Sequence, residues 1–550
     1  MATDKDIAFP VLERPDIEAL AERGREREVR AGETLFAEGS REFPFFVVLD
    51  GAIEIVEHSR GTPHTVAVHQ PGEFTGDVDM LSGRRTLVQG KAARAGRVLE
   101  LSTDALRRAV DELPDLGATI VSAFLMRRRL LLEDGFEGVR IIGSRFSPEA
   151  HRLRDFANRN AIPYRWMDLE TDAEAEALLR QFNVPASATP IVMDREGKWH
   201  SNPTLGDIGA CMGMVSRMEE GHIYDLLVVG AGPAGLAAAV YGASEGLDVL
   251  AAESLAPGGQ AGTSTRIENY LGFPAGITGR DLTDRALIQA QKFGARITVP
   301  CTARSLGIDG GERIVTLTDG TRLRARCVLI STGVSYRRLD VPRFEDFEGA
   351  GIYYAATDRE AELCRGEDVV VIGGGNSAGQ AVVHLAKYAR QVHLLIRKPD
   401  LGANMSRYLV DQVNALPNVA VHCNTQVSGL EGNGQLGAVQ VTNGTSGMRK
   451  LETSSLFLLI GADPNSAWLD GCVKLDAKGF VLTGTDLPPG TADSDHWRSV
   501  GRAPFLLETS LPGVFAAGDV RSASVKRCAS AVGEGAMAVS FAHAHIARPV

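Results

Sequence analysis

Over roughly the first hundred residues, apolar positions recur with the period of a strand, and past residue 103 they shift to the period of a helix. Residues 45–49 and 52–57 read as short strands. Asp50-Gly51 between them predicts a hairpin, since a type I′ turn needs positive φ at both central residues. Strand-like runs follow at 66–68 and 97–101, and i, i+3, i+4 spacing predicts one helical tail over 103–133, with Arg127, Arg128 and Arg129 on its solvated face. The next stretch reads as strand 140–142, helix 147–160, strand 164–168 and helix 174–181, then a strand opened by Pro190. Ser147 is placed to cap a helix starting at Pro148. Later, the continuous apolar run 225–229 has the pattern of a buried parallel strand, followed by a small-residue helix over 236–245 and a strand over 248–252. The pattern returns as strand 368–372, helix 379–390 and strand 391–396.

A chain of 550 residues is too long for one core and predicts three or four domains. No run of 18 apolar residues is present, so no membrane span is expected. Residues 1–10 carry acids and lack the basic and apolar regions of a secretory leader, which predicts a cytoplasmic protein. The net charge of −11 argues against a nucleic-acid surface. Seven scattered cysteines show no CxxC, zinc-type or haem-type spacing, so reduced thiols and no metal are expected.

The candidate chemistry lies in two glycine-rich turns. Gly230-Ala231-Gly232-Pro233-Ala234-Gly235 joins a strand to a helix, and the next strand ends at Glu253. Glycines allow the tight turn and close approach of a pyrophosphate, the helix N-terminus stabilises the phosphates, and the acid accepts from a ribose hydroxyl. The second turn is Gly373-Gly374-Gly375-Asn376-Ser377-Ala378, and its following strand ends in Arg397-Lys398, with Arg407 nearby. A carboxylate there would repel a 2′-phosphate and two cations attract it, so the second site favours NADPH. Two such sites imply two electron-carrying cofactors.

Pro257-Gly258-Gly259-Gln260, the run 267–274 containing Asn269, Ser331-Thr332-Gly333, Gly518-Asp519 and the run 526–531 complete a pattern that resembles the low-molecular-weight thioredoxin reductase family across 224–550. The resemblance implies FAD at the first site, with Glu253, Gly259, Gln260, Asn269, Gly333, Gly518 and Asp519 around it and Arg527, Cys528 and Ala529 at a helix start beside the flavin. It also implies a homodimer, and an NADPH domain at 336–459 inserted into an FAD domain at 222–335 and 460–550. One departure decides the expected mechanism: where that family carries its CxxC, this chain reads Tyr354-Ala355-Ala356-Thr357-Asp358. Asp358 is the candidate for handling a proton or shaping acceptor access. Cys364 is read as packing and His384 as an ordinary helix residue. Electrons are then expected to leave for an external acceptor: a disulfide protein, a ferredoxin-like carrier, a quinone or dioxygen. A ferredoxin/flavodoxin–NADP reductase-like electron transferase and a non-catalytic flavin redox sensor are the alternatives.

Residues 1–135 resemble the cyclic-nucleotide-binding domain family through Pro71-Gly72-Glu73-Phe74, Gly76-Asp77 and the run 81–86. The resemblance makes Gly76, Asp77, Arg84, Arg85 and Thr86 the candidates for a cyclic nucleotide, with Asp77 standing where that family has Glu. Residues 138–218 resemble the thioredoxin or glutaredoxin fold, with Thr189-Pro190 as candidate cis-proline. Phe146-Ser147-Pro148-Glu149 occupies the place of the redox dithiol, which makes that domain redox-silent. The fold expected is thus multidomain: an N-terminal β-roll with helices, an α/β thioredoxin-like domain, then two Rossmann-like α/β domains for FAD and NAD(P)H.

Overall fold

The computed structural model describes residues 3–547 apart from 42, 59–62, 83, 134–137, 182–184, 186–187, 195–197, 216–217, 219–220, 265–266, 268–269, 310, 349–350, 355, 357 and 444–446. The N-terminal part holds two antiparallel sheets, one of Arg25–Val29, Gly96–Leu101 and Phe45–Val48, the other of Thr34–Phe36, Gln89–Arg94, Ala52–Glu57 and His64–His69. Phe45, Phe46, Phe74 and Phe124 fill the core between them.

Three sequence expectations need correction here. The strands flanking Asp50-Gly51 do not pair with each other; Phe45–Val48 joins one sheet and Ala52–Glu57 the other. Gly51 has φ +88 and Asp50 is not among the positive-φ residues, so the turn is not type I′. Asp50 instead exchanges backbone hydrogen bonds with Arg97, and the turn carries the chain from sheet to sheet. The helical tail is two helices, Thr103–Glu112 and Pro114–Glu133, because Pro114 lacks the N–H that would continue the first and suits the first turn of the second. Arg127 and Arg128 are buried at 7% and 8% exposure, not solvated. Arg127 donates to the carbonyls of Ala8, Gly76 and Phe74 at 2.7, 2.7 and 2.9 Å, and Arg128 pairs with Asp77 and Asp79 at 2.7 and 2.5 Å.

A central four-stranded sheet runs Trp199–Ser201, Ile191–Met193, Val139–Gly143, Tyr164–Asp168, with only the last pair parallel. Ser147 caps Pro148–Arg159 by accepting from the Ala150 N–H at 3.2 Å, and the Thr189–Pro190 peptide is cis.

The next unit is built on a seven-stranded sheet. Arg296–Thr298, Val249–Ala252, Ile223–Val229, Arg322–Ile330 and Val514–Ala516 are parallel, and two further strands form an antiparallel extension. Burial on both faces explains the unbroken apolar runs. A five-stranded all-parallel sheet follows, in the order Ile352–Tyr353, Ser455–Leu458, Asp368–Ile372, Gln391–Leu395, Val419–His422. The two chain crossings between these sheets, Val334–Tyr336 and Ala462–Pro464, pair antiparallel with each other. Asn465 ties them further, donating to the Thr332 carbonyl at 2.8 Å while its own carbonyl accepts from the Thr332 hydroxyl at 2.7 Å.

The loop feeding Val514–Ala516 is held by a buried ion pair. Glu508, fully buried, accepts from Arg502 at 2.6 and 2.8 Å and from the N–H groups of Phe505 and Gly513 at 2.9 and 2.7 Å. Glu508→Ala leaves a buried guanidinium uncompensated and should destabilise this unit by about 3–5 kcal/mol. Urea unfolding followed by tryptophan emission checks this, and a loss below about 1 kcal/mol would show that the pair does not hold the loop.

Candidate functional site

The parallel strands of the seven-stranded sheet end on one edge, and a cleft of about 1000 Å³ opens there. Strand Ile223–Val229 passes into Gly230, whose φ of +100 and approach to the Ser331 carbonyl exclude any side chain. Helix Pro233–Ser244 then starts, with Gly232 as its N-cap and no side chain covering its first N–H groups. Gly235 is required for a different reason: a Cβ there would lie 1.9 Å from the Gly230 carbonyl oxygen. Ser331 donates to that same carbonyl at 2.7 Å and locks the neighbouring strand end to the turn.

Glu253 leaves the next strand 7% exposed and lines the cleft. Its carboxylate accepts from the N–H groups of Ala231 and Leu255 at 2.7 and 2.9 Å. Two carboxylate oxygens accept about four hydrogen bonds, so capacity remains for a hydroxyl. Gly259 and Gln260 line the wall facing Gly232, and the Gly258 N–H donates to the Ala231 carbonyl at 2.7 Å. The last wall comes from the C-terminal segment. Gly518, Asp519, Arg527 and Cys528 line it, and helix Cys528–Ile546 packs so tightly on the first helix that a Cβ at Gly535 would lie 2.1 Å from the Ala234 carbonyl oxygen.

Gly230, Gly232, Pro233, Ala234, Glu253, Gly259, Gln260, Gly333, Gly518, Asp519, Arg527 and Cys528 therefore share one cleft. Gly235 sits just behind it as packing. Ala529 is exposed and off the cleft, because one helical step turns it away from the face shared by Cys528 and Ala531. Asn269 lies outside the described residues, as does the side chain of Asp358, whose backbone opens helix Asp358–Leu363.

The second glycine-rich turn stands apart, at the carboxyl end of the five-stranded sheet. Gly373 has φ +146, and helix Asn376–Leu385 starts at the N-cap Gly375, three residues earlier than the spacing predicted. Asn376 accepts from the Ser406 N–H at 2.7 Å, and Ala378 is buried. Ser377 lies in the first turn. Arg397 and Lys398 are exposed just past strand Gln391–Leu395, with no carboxylate partner among the described residues. Arg407 is paired with Asp411.

The N-terminal candidates are engaged by the fold itself, with Arg84, Asp77, Asp79 and Arg128 in one charged cluster. Asp77 is bound by Arg128, Arg84 donates to the Asn160 carbonyl at 3.3 Å, Thr86 is buried, Arg85 is exposed beside Gly213, and Gly76 packs on Met80 and Phe124. Arg159, Tyr336 and Trp468 line the cleft without having carried any sequence signal, and His384, expected as an ordinary helix residue, lines it too, as does Lys526 from the run 526–531. His384 reaches the cleft of the first unit from a helix of the second. Asp194, His200 and Cys211, none of which lines the cleft, come together with ligand-type atoms within 4.8 Å of one another.

Burial pushes the Asp519 carboxyl above the usual carboxylate range, against the opposing charge of Lys526. All seven cysteines are free thiols. Burial pushes Cys301 and Cys327 up to about 12, and burial with the charge of Asp519 pushes Cys528 up to about 11. Cys364 is fully buried and likewise raised.

Residues 224–535 match the pyridine nucleotide-disulphide oxidoreductase family, and residues 26–112 match the cyclic nucleotide-binding domain family. The chain is 35% identical over 332 residues to NADPH-dependent thioredoxin reductase 3 of Arabidopsis thaliana, covering 59% of this chain and 58% of that one. Thioredoxin reductase of Mycolicibacterium smegmatis is 32% identical over 58% of this chain and 94% of its own length. Among solved structures, thioredoxin reductase of Streptococcus pyogenes MGAS5005 is 28% identical with a TM-score of 0.47, over 59% of this chain and 98% of that one. The thioredoxin reductase family uses FAD and NADPH.

A thiol titrating near 11 instead of 9.0 carries about a hundredth of the thiolate at pH 8. Iodoacetamide labelling of Cys528, followed by mass spectrometry, should be slow at pH 8 and rise about tenfold per pH unit up to about pH 11. A plateau below pH 9 would contradict this burial.

Proposed function

The chain belongs to the pyridine nucleotide-disulphide oxidoreductase family, and on that footing we propose that it oxidises NADPH through bound FAD and passes electrons to an acceptor outside the polypeptide. The observation that carries the reading is the single cleft where Gly232, Glu253, Gly333 and Asp519 converge from four strand ends. Its fit to a dinucleotide is steric as well as chemical. A Cβ at Gly232 would meet nothing nearer than the Gly259 Cα at 3.9 Å, so the space above the helix N-terminus is left for a ligand.

When bound, the nicotinamide and flavin rings supply the hydride chemistry themselves. The residues of the chain bind, orient and exclude water. The uncovered N–H groups of helix Pro233–Ser244 favour a pyrophosphate, and Glu253 has acceptor capacity for a ribose hydroxyl. Cys528 lines the cleft, and burial with the charge of Asp519 pushes its thiol up to about 11, which argues against a thiolate relay there. In the second unit, Arg397 and Lys398 bind the 2′-phosphate of NADPH, and Gly373, Gly375 and Ser377 form its pyrophosphate cradle. We assign FAD to residues 222–335 and 460–550 and NADPH to 336–459, with residues 138–218 as a thioredoxin-like unit without a dithiol. The stretch 352–360 holds no cysteine and Cys364 is buried, which supports an external acceptor over an internal disulfide.

Anaerobic NADPH titration of the yellow protein should bleach the flavin at one equivalent; a flavin that stays oxidised ends the proposal. Gly232→Ala should fold and melt like flavin-stripped wild type yet purify largely without FAD, because only the ligand meets the new methyl group. Replacing Arg397 and Lys398 together by Gln should raise KM for NADPH at least tenfold, the worth of about one charge-assisted contact. KM for NADH should change less than threefold, and equal losses for both would refute the 2′-phosphate assignment.

A further inference from the structure

One lining residue of the cleft does not come from the dinucleotide-binding units. Helix Pro148–Arg159 belongs to the central four-stranded unit, and its last residue, Arg159, lines the cleft together with Glu253, Ser254 and Leu255. The next residue fixes that position. Asn160 is 4% exposed, and its side-chain amide donates to the Leu255 carbonyl at 2.9 Å and to the Phe156 carbonyl at 2.9 Å. Leu255 in turn donates its N–H to Glu253 at 2.9 Å. A second strap lies close by, where Arg280 donates to the Asn158 carbonyl at 2.9 Å. The end of this helix is thus clamped to the segment that follows the ribose-binding acid.

Arg159 is not used up by this clamp. Asp155 accepts from Nε alone, at 2.9 and 3.0 Å, and both terminal NH2 groups lack a hydrogen-bond partner among the described residues. A guanidinium with four free N–H donors beside an acceptor-rich dinucleotide is suited to charge-assisted hydrogen bonds with phosphate and ribose oxygens.

We propose that Arg159, supplied by the central unit, is a direct binding residue for the adenosine-diphosphate half of FAD. The inference rests on the reading of the cleft as an FAD site. Under it, the dithiol-less central unit holds the cofactor in place of exchanging disulfides.

The proposal is tested on the full chain, stripped of flavin and titrated with FAD and separately with ADP. Arg159→Gln should weaken both about tenfold, Arg159→Lys should recover part of the loss, and FAD should leave Arg159→Gln faster than wild type as read by flavin fluorescence. Asp155→Ala, which removes the helix ion pair and keeps the guanidinium, should stay within twofold of wild type. The proposal is overturned if Arg159→Gln binds both probes within twofold of wild type, if only FAD and not ADP is weakened, or if Asp155→Ala loses as much as Arg159→Gln. Wild-type protein that takes up no FAD would instead remove the functional reading beneath it, so the two failures are separable.

Discussion

The cleft exists because backbone meets backbone where most proteins would place side chains. Gly235 must lie against the Gly230 carbonyl, Gly535 against the carbonyl of Ala234, and Gly230 against Ser331, each at a distance that one methyl group would abolish. These contacts set how deeply the first and last helices nest on the sheet, and so the depth and direction of the opening between them. The rest of the site, from the acid at 253 to the aspartate at 519, is hung on that nesting.

The same constraint explains why this part of the chain was legible in the sequence. Glycine at fixed spacing between an apolar strand and a small-residue helix is a local signature of a steric need, so Gly230, Gly232 and Glu253 could be named from the residues themselves, while Gly259, Gln260, Gly333, Gly518, Asp519, Arg527 and Cys528 are named only through the family resemblance. What stayed hidden depends on partners distant in the chain. Arg127 and Arg128 look like surface charge until Ala8, Phe74 and Asp79 close over them. Arg159 and His384 reach the cleft only through the docking of one unit on another. The turn at Asp50-Gly51 was readable as a turn, but the change of sheet it makes is decided by Arg97, nearly fifty residues later.

In the N-terminal unit, charged candidate residues already have partners within the fold. Asp77 lies within reach of Arg128 and, with Asp79, neutralises a cation that has little contact with water. Arg84 faces Asn160 in the central unit. Lys292–Asp111 and Arg129–Asp281 add ion pairs between the N-terminal unit and the helix Gly279–Lys292 at 2.9 and 3.3 Å. Of the charged residues that resemble ligand contacts in the sequence, Asp77 is engaged inside its own unit and Arg84 reaches into the next.

The state of the cysteines has a further consequence. Proteins that handle reducing equivalents meet peroxides and disulfides, and thiolates react with both. Here burial and neighbouring acids push up the titration of Cys301 and Cys528, both of which line the cleft, so these thiols carry little thiolate. A peroxide or disulfide that enters the cleft therefore meets, at these two positions, thiols that are slow to form adducts with it.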